Sequence, residues 1–368
     1  MIIAIDLTAL SYHITGIERY AMCITEKMLE QDKKNTYILI FRDDIHPMFE
    51  NSIDGKRVKA EIIHGNNKLL FYQIVLPFHM YKIKADRYLF FAFTSPILFR
   101  RKGIYNTIHD MGPWDSAEAL KKLQKFYLKT TCKFSASASD GIITVSEFSK
   151  GRIAEILHYP KNKIEVAFSA IYDGLLAEHD IAYDVVKKEY DLPARYIMTL
   201  STLEPRKNLI TLLEAFSKVQ DKVNYDLVLV GRRGWKMDEV LEKYNTQSRI
   251  HITGFVKDEY VSKIYKEALC FVFPSLYEGF GLPPVEALAF GTPVVASDAA
   301  SIPEVLMDQA VYFKSKDIEG LEKILIHLEQ NLVNMPHELN EYQKENYRFD
   351  VSAKKIMEFI KNENINCK

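Results

Sequence analysis

A chain of 368 residues is too long for one ordinary domain and predicts two. With 48% hydrophobic and 26% charged residues it is no disordered polymer, and a net charge of −1 excludes a general nucleic-acid binder, leaving only a local patch open. Four scattered cysteines, Cys23, Cys132, Cys270 and Cys367, share no metal-ligand or redox spacing and fit buried thiols in a reducing compartment. No run approaches the ~20 apolar residues that span a bilayer. No basic leader precedes the first apolar run, so the expected location is the cytoplasm.

Short β-branched or aromatic runs recur along the chain. IIAID (2–6) is followed by Gly16 and an amphipathic stretch of helical length at 17–31. YILIF (37–41), YLFFAF (88–93) and IYNTIHD (104–110) come next, then a helical pattern at 121–133 and the runs GIITVS (141–146) and IEVAFS (164–169). From 171 to 192 the text turns polar and irregular and reads as the connection between two domains. Alternation resumes with YIMTLS (196–201), a helix at 208–218, DLVLVG (226–231) and IHITGF (250–255). A helix at 258–268, CFVFPS (270–275), a helix at 282–290 and TPVVAS (292–297) follow. A last helix is expected at 351–362, capped by Asp350 or Ser352. Near-continuous apolar runs between amphipathic helices are the pattern of buried parallel strands, so both domains are predicted to be doubly wound α/β. Such folds bind ligands outside the carboxyl ends of their strands. Chemistry is therefore expected in the loops after the strands, and two domains facing each other would enclose a cleft.

One loop stands out. SLYEGFGLPPVEALAFGTPVVAS (275–297) carries Glu278 and Glu286 eight positions apart. Pro283 and Pro284 suit the first positions of a helix, where amides lack a helical partner anyway. Gly279 and Gly281 permit a sharp turn and the close approach of a ligand. The amides of Phe280, Gly281 and Leu282 are expected to face whatever sits above the helix start, an end that suits an anion. Either glutamate alone is equally well explained as a carboxylate stabilising a helix start. A cap, however, has no need of Gly-Phe-Gly before it. The functional reading is a pair of carboxylates taking hydroxyls, one set from a ribose diol and one from a second polyol. A nucleotide-sugar carries both, with a diphosphate between them.

A diphosphate needs cations. In YIMTLSTLEPRKNLITLLEAF (196–216), Arg206 and Lys207 are expected at a helix start, where they oppose the helix dipole and require an anion nearby. A forked guanidinium and a point-charge ammonium both suit phosphate oxygens. A solvated basic pair on a surface helix is the plain alternative. Gly16 precedes a helix after the first strand, where the backbone can approach a phosphate or merely turn. His109, followed by Asp110, ends a strand at a cleft-facing position, where histidine serves structure as readily as catalysis. There is no P-loop, no G-x-G-x-x-G after the first strand, no G-x-S-x-G and no metal-ligand spacing, so no cofactor and no obligatory metal are expected.

The segment YEGFGLPPVEALAFGTPVVASDAASIPEV resembles the nucleotide-sugar motif of the retaining family 4 glycosyltransferases, and its glutamates fit that family's E-x7-E spacing. LSTLEPRKNLITLLEAF resembles the family's phosphate segment. VSEFSKGRI (145–153), GFVKDEY (254–260) and the first strand–Gly–helix fit in order and distance, so the resemblance covers nearly the whole chain. It implies a GT-B fold, with two Rossmann-like domains facing a central cleft. The acceptor-binding domain would be 1–172, the donor-binding domain 190–345, and a final helix, about 349–368, would cross back to the first domain.

By motif, the resemblance implies that Glu286 holds the ribose diol and Glu278 the donor sugar. Phe280, Gly281 and Leu282 would lie along the sugar and phosphates, and Val256 against the base. Arg206 and Lys207 would hold the diphosphate as the nucleotide leaves. His109 would lie near the transferred sugar, and Gly16 behind the diphosphate. Two positions depart from the pattern: Thr15-Gly16 stands where many members have Gly-Gly, and Asp173-Gly174 where Asn-Gly is common. The implied activity is retaining, metal-independent transfer of a hexose-type sugar from GDP-mannose, a UDP-sugar or dTDP-rhamnose to a glycan or lipid-linked saccharide, in polysaccharide or glycolipid assembly. Other GT-B enzymes, of epimerase or phosphorylase type, and a nucleotide-sugar-binding protein without activity are the alternatives. The intact Glu278, Glu286, Arg206 and Lys207 argue against the last.

Residues 100–133 hold eight Lys/Arg against three acids, several of them on KKLQKFYLKTTCK, downstream of the aromatic-rich LLFYQIVLPFHMYKIKADRYLFFAF (69–93). The two could rest on the anionic inner face of a membrane and meet a lipid-linked acceptor. The plain reading, a solvated helix face with core strands upstream, is preferred from the sequence.

Overall fold

The computed structural model describes residues 1–11, 16–116, 122–234, 237–245 and 247–362. Thr15, Lys121 and Cys367 lie outside the described residues. The chain divides into two units, one holding Met1–Trp114, Leu120–Ala170 and the segment from Asn346, the other holding Asp115–Ala119 and Ile171–Glu345.

The first unit is built on seven parallel strands: β1 (Ile2–Asp6), β2 (Thr36–Arg42), β3 (Val58–Ile63), β4 (Arg87–Phe90), β5 (Ile104–Thr107), β6 (Gly141–Thr144) and β7 (Ile164–Val166). Their order is β3-β2-β1-β4-β5-β6-β7. The second unit has six: β8 (Tyr196–Leu200), β9 (Asp226–Val230), β10 (Ile250–Gly254), β11 (Cys270–Phe273), β12 (Val294–Ser297) and β13 (Val311–Phe313), in the order β10-β9-β8-β11-β12-β13. All are parallel. Central strands such as β5, β6, β11 and β12 are buried at every residue. That is what helices on both faces of a sheet require. Both units are the Rossmann-like folds expected. In each, strand order reverses once, between β1 and β4 and between β8 and β11. A doubly wound sheet opens a crevice at such a reversal.

Two strands went unpredicted. β3, VKAEII, is a half-exposed edge strand with two charged residues, and β13 is a three-residue edge. β3 forms no continuous apolar run, and that of β13 is only three residues long. The connection at 171–192 is not irregular. It holds the short helices Asp173–Leu176 and Tyr183–Glu189, tied down by buried Leu175, Val186 and Leu192 and by Tyr190 edge-on to Tyr260.

Six helices matter to the sites: α1 (Gly16–Gln31), α2 (Lys122–Ala138), α3 (Leu209–Val219), α4 (Asp258–Glu267), α5 (Leu282–Ala289) and α6 (Phe349–Lys361). The last helix returns to the first unit, as expected. Gln31 Nε2 of α1 donates to the Asp350 carbonyl at 2.8 Å, and Arg87 Nε of β4 to the Ile360 carbonyl at 2.7 Å. Its start is two residues earlier than expected, so neither Asp350 nor Ser352 caps it. Asp350 instead takes the Arg348 guanidinium, and Ser352 Oγ donates to the Phe168 carbonyl at 2.8 Å. Cys23, Cys132 and Cys270 are buried thiols. Among the described residues no helix is long and apolar enough to cross a membrane.

Candidate functional site

β8 and β11 are neighbours at the reversal of the second sheet, with Cys270 beside Ile197, so the loops leaving their carboxyl ends lie side by side. Three bonds stitch them. The Leu276 amide donates to the Arg206 carbonyl at 2.9 Å, Arg206 Nη1 to the Tyr277 carbonyl at 2.8 Å, and Asn208 Nδ2 to the Pro274 carbonyl at 3.1 Å. Asn208 sits at φ 53°, a left-handed position that asparagine tolerates, and it separates a single 3-10 turn, Pro205–Lys207, from α3. Arg206 and Lys207 therefore stand one turn ahead of the helix and not at its start. The anion they were expected to need is Glu278. Its Oε1 accepts from Lys207 Nζ at 2.6 Å and its Oε2 from Arg206 Nη1 at 3.0 Å. Arg206 also holds Glu204 Oε1 at 3.0 Å.

The cluster is nearly dry: the side chains of Glu278 and Lys207 are 9% and 12% exposed. Burial alone would raise the Glu278 carboxyl. Lys207 and Arg206 overcome it and hold the group at about 2, so it is ionised at any physiological pH. Burial pulls Lys207 below its ordinary value, with Arg206 adding to the effect and Glu278 opposing it. A buried carboxylate shared by two cations is costly to assemble and strongly destabilising to break.

Gly281 precedes α5 at φ +91°, a backbone conformation that L side chains avoid, so glycine is required there by geometry. The turn is clamped from behind: Ser301 Oγ donates to the Glu278 carbonyl at 3.0 Å and lies 3.2 Å from the Phe280 carbonyl. The Phe280 ring is buried, so what it offers a ligand is backbone. One turn into α5, Glu286 is also buried, and its Oε2 accepts from the hydroxyl of fully buried Tyr265 on α4 at 3.0 Å. Tyr265 is itself stacked on Phe290. Val256, after β10, is buried. The exposed group of that turn is Phe255, with the Arg232 guanidinium 4.3 Å above its ring.

The structure thus brings Arg206, Lys207 and Glu278 into contact and places Glu286, Phe280, Gly281 and Leu282 on the adjoining turn and helix. Gly16 and His109 belong to the first unit. Gly16 is the first residue of α1, and an added Cβ would meet nothing within 4 Å. His109 follows β5, with Nε2 2.8 Å from the Phe91 carbonyl, so that nitrogen carries the proton. Burial lowers its pKa, which keeps the ring neutral. It lines a cavity of about 920 Å³ at the carboxyl ends of β1, β2, β4 and β5, walled also by α2. Thr8 and Tyr72, which also line the cavity, donate to the buried carboxylate of Asp6, Thr8 Oγ1 at 2.6 Å and the Tyr72 hydroxyl at 3.1 Å. Glu204, Asn208, Tyr265 and Ser301 were missed by sequence reasoning. Asn208, Tyr265 and Ser301 act through partners on other elements, which no local pattern reports, whereas Glu204 holds Arg206 two residues along the same turn.

Residues 184–346 match the family model "Glycosyl transferases group 1". The chain is 28% identical over 344 residues to O-antigen chain mannosyltransferase B of Escherichia coli, covering 88% of each chain. It is also 28% identical to serotype-specific mannosyltransferase WbdA of E. coli, over 59% of this chain but only 28% of that protein. Among solved structures, Anabaena Alr3699/HepE in complex with UDP and glucose superposes with a TM-score of 0.73 at 14% identity, covering 98% of this chain and 99% of the other. The fold is therefore shared with that solved structure.

Proposed function

Taking as premise that the second unit belongs to the group 1 glycosyl transferases, we propose that this chain moves mannose from GDP-mannose to a saccharide acceptor in polysaccharide assembly. The observation that carries a transfer reaction is the buried Arg206–Lys207–Glu278 cluster at the sheet reversal. The mannosyltransferase names of relatives favour mannose, and GDP-mannose is the mannosyl donor among the three classes considered. Likeness to a structure holding UDP and glucose keeps a UDP-sugar as the second reading.

In this reading the diphosphate replaces Glu278 as the counter-charge of Arg206 and Lys207, and Glu278 turns its oxygens to the sugar hydroxyls. Glu286, held by Tyr265, takes the ribose diol. As the bond from anomeric carbon to phosphate oxygen breaks, negative charge grows on the diphosphate, where two preorganised cations offset it without a metal. The acceptor hydroxyl attacks the same face, and its proton passes to a donor phosphate oxygen, so configuration is retained. The resemblance also assigns His109, a neutral hydrogen-bonding group, and Gly16 to the transfer reaction.

The test is the melting temperature against GDP, UDP, dTDP and ADP, each with and without its sugar, in the presence of EDTA. A ligand at a hundred times its dissociation constant adds roughly 2.7 kcal/mol, which is several degrees. GDP and GDP-mannose should stand out, and Glu286→Ala should erase the shift. A shift with UDP alone selects the second reading, and no shift with any nucleotide rejects both.

A further inference from the structure

The transfer chemistry makes no use of one face of the first unit. Its first part is a helical stretch through Lys68–Leu70, a π turn at Phe71–Val75 and Leu76–Met80. The sequence read this stretch as part of a core strand region. In the structure Leu70, Ile74 and Phe78, four positions apart, are 54%, 55% and 63% exposed. The second part is α2, where Leu123 and Phe126, one turn apart, are 81% and 69% exposed. A solvated helix face would turn such residues inward.

Hydrogen bonds make these parts one surface. Gln73 Nε2 donates to the Tyr127 hydroxyl of α2 at 3.0 Å, and Gln73 Oε1 accepts from the Ile97 amide at 3.0 Å. The loop beyond Ile97 carries exposed Leu98 and Arg100. Arg100 Nη1 donates to Ser137 Oγ of α2 at 3.1 Å, and its guanidinium lies over the Phe134 ring. Tyr81 closes the set, its hydroxyl accepting from the Arg100 amide at 2.9 Å and donating to the Leu98 carbonyl at 3.0 Å.

The charge of this surface is mostly positive, with Asp86 and Asp110 just past the ends of two of its segments. Segments 67–85, 97–109 and 122–138 hold ten lysines and arginines and no acidic residue, in a chain whose net charge is −1. Single exposed apolar side chains are ordinary. Several large ones inside a field of cations are the composition of an interfacial anchor, in which Leu and Phe enter the acyl boundary and the cations meet lipid phosphates. Long lysine stems can lie along the apolar residues while their ammonium groups reach outward.

We propose that this face docks the chain on an anionic lipid bilayer. Lys68, Leu69, Gln73 and Tyr127 also wall the 920 Å³ cavity, so docking sets that cavity beside the lipid surface. That a lipid-linked saccharide enters it there rests on the function proposed above; the docking itself does not.

The experiment is flotation of the full chain with phosphatidylcholine vesicles, with and without phosphatidylglycerol, at low and high salt. Each cation near the surface is worth roughly fivefold in partitioning. The chain should float with anionic vesicles at low salt, and not with neutral ones or at high salt. Lys125→Gln with Lys129→Gln should weaken binding by about 25-fold. Leu123→Gln with Phe126→Gln should abolish it, with the circular-dichroism melt unchanged because both side chains are exposed already. Failure to float with anionic vesicles at low salt, equal flotation on neutral vesicles, or variants that float like the parent would each overturn the proposal. So would a parent dimer in light scattering that only the apolar variant breaks, which would give the face to a second copy.

Discussion

Glu278→Gln changes a charge and almost no volume, so it isolates the electrostatics of the central cluster. The Glu278 carboxyl is held at about 2 against an ordinary 4.5, a difference worth about 3 kcal/mol of folding stability at neutral pH. Removing one partner of a buried ion pair leads to the same range, roughly 3–5 kcal/mol, because Lys207 and Arg206 remain buried without their shared anion. The folded pKa lies below the unfolded one. The stabilisation is therefore complete above about 4.5 and is lost as pH falls from there toward 2. Hydrogen exchange of the β8 and β11 amides, which reports opening of the second unit, should show the variant weaker by about 3 kcal/mol at pH 7. The gap should close as pH is lowered toward 3. Transfer should fall at least ~100-fold while GDP binding remains measurable, since both cations are still present. A penalty under about 1 kcal/mol at pH 7, or one that does not change with pH, would refute the electrostatic reasoning. Equal loss of GDP binding and transfer would refute the roles assigned to Glu278 and the cations.

Other perturbations separate neighbouring claims. Tyr265→Phe removes the hydroxyl that holds Glu286 and should cost about 1.5–3 kcal/mol in GDP affinity by calorimetry, with a smaller loss for a deoxyribose analogue. Gly281→Ala meets only ordinary contacts, with Phe273 and Glu278, so its cost is backbone strain of about 1–2 kcal/mol, read as a lower denaturation midpoint. Gly16→Ala has open space around the new methyl group and should leave the melt unchanged while slowing transfer, if the backbone there approaches the diphosphate. His109 is kept neutral by burial, so its contribution is present above the ordinary value of 6.5 and is lost as pH falls below it. His109→Gln should accordingly make urea stability less sensitive to acid between pH 6.5 and 5.

The fold could be read from the sequence wherever strands are buried on both faces, because β8, β9, β11 and β12 are nearly continuous apolar runs. It could not be read at β3, where an edge strand carries Lys59 and Glu61. Nor could it be read at 68–80, where a π turn widens the helical repeat and leaves Leu70, Ile74 and Phe78 in solvent. The site was legible as a set of loops, since strand–turn–helix patterns place Glu278 and Arg206 after β11 and β8. Their pairing was not. Glu278 and Arg206 are 72 residues apart and meet only because sheet order makes β8 and β11 neighbours. The same sheet order explains why Arg206 and Lys207 can stand near a helix dipole that should repel them: the neutralising carboxylate arrives from the adjacent strand.

The most direct measurement is release of GDP from GDP-mannose, followed with and without a saccharide acceptor, by the parent chain and by Glu278→Gln at equal nucleotide occupancy. Transfer chemistry at the cluster requires acceptor-stimulated release by the parent, unaffected by EDTA, and its loss by at least ~100-fold in the variant. Turnover by Glu278→Gln at the parent's rate would contradict it, as would a parent that binds the nucleotide yet releases no nucleoside diphosphate from GDP-mannose or a UDP-sugar.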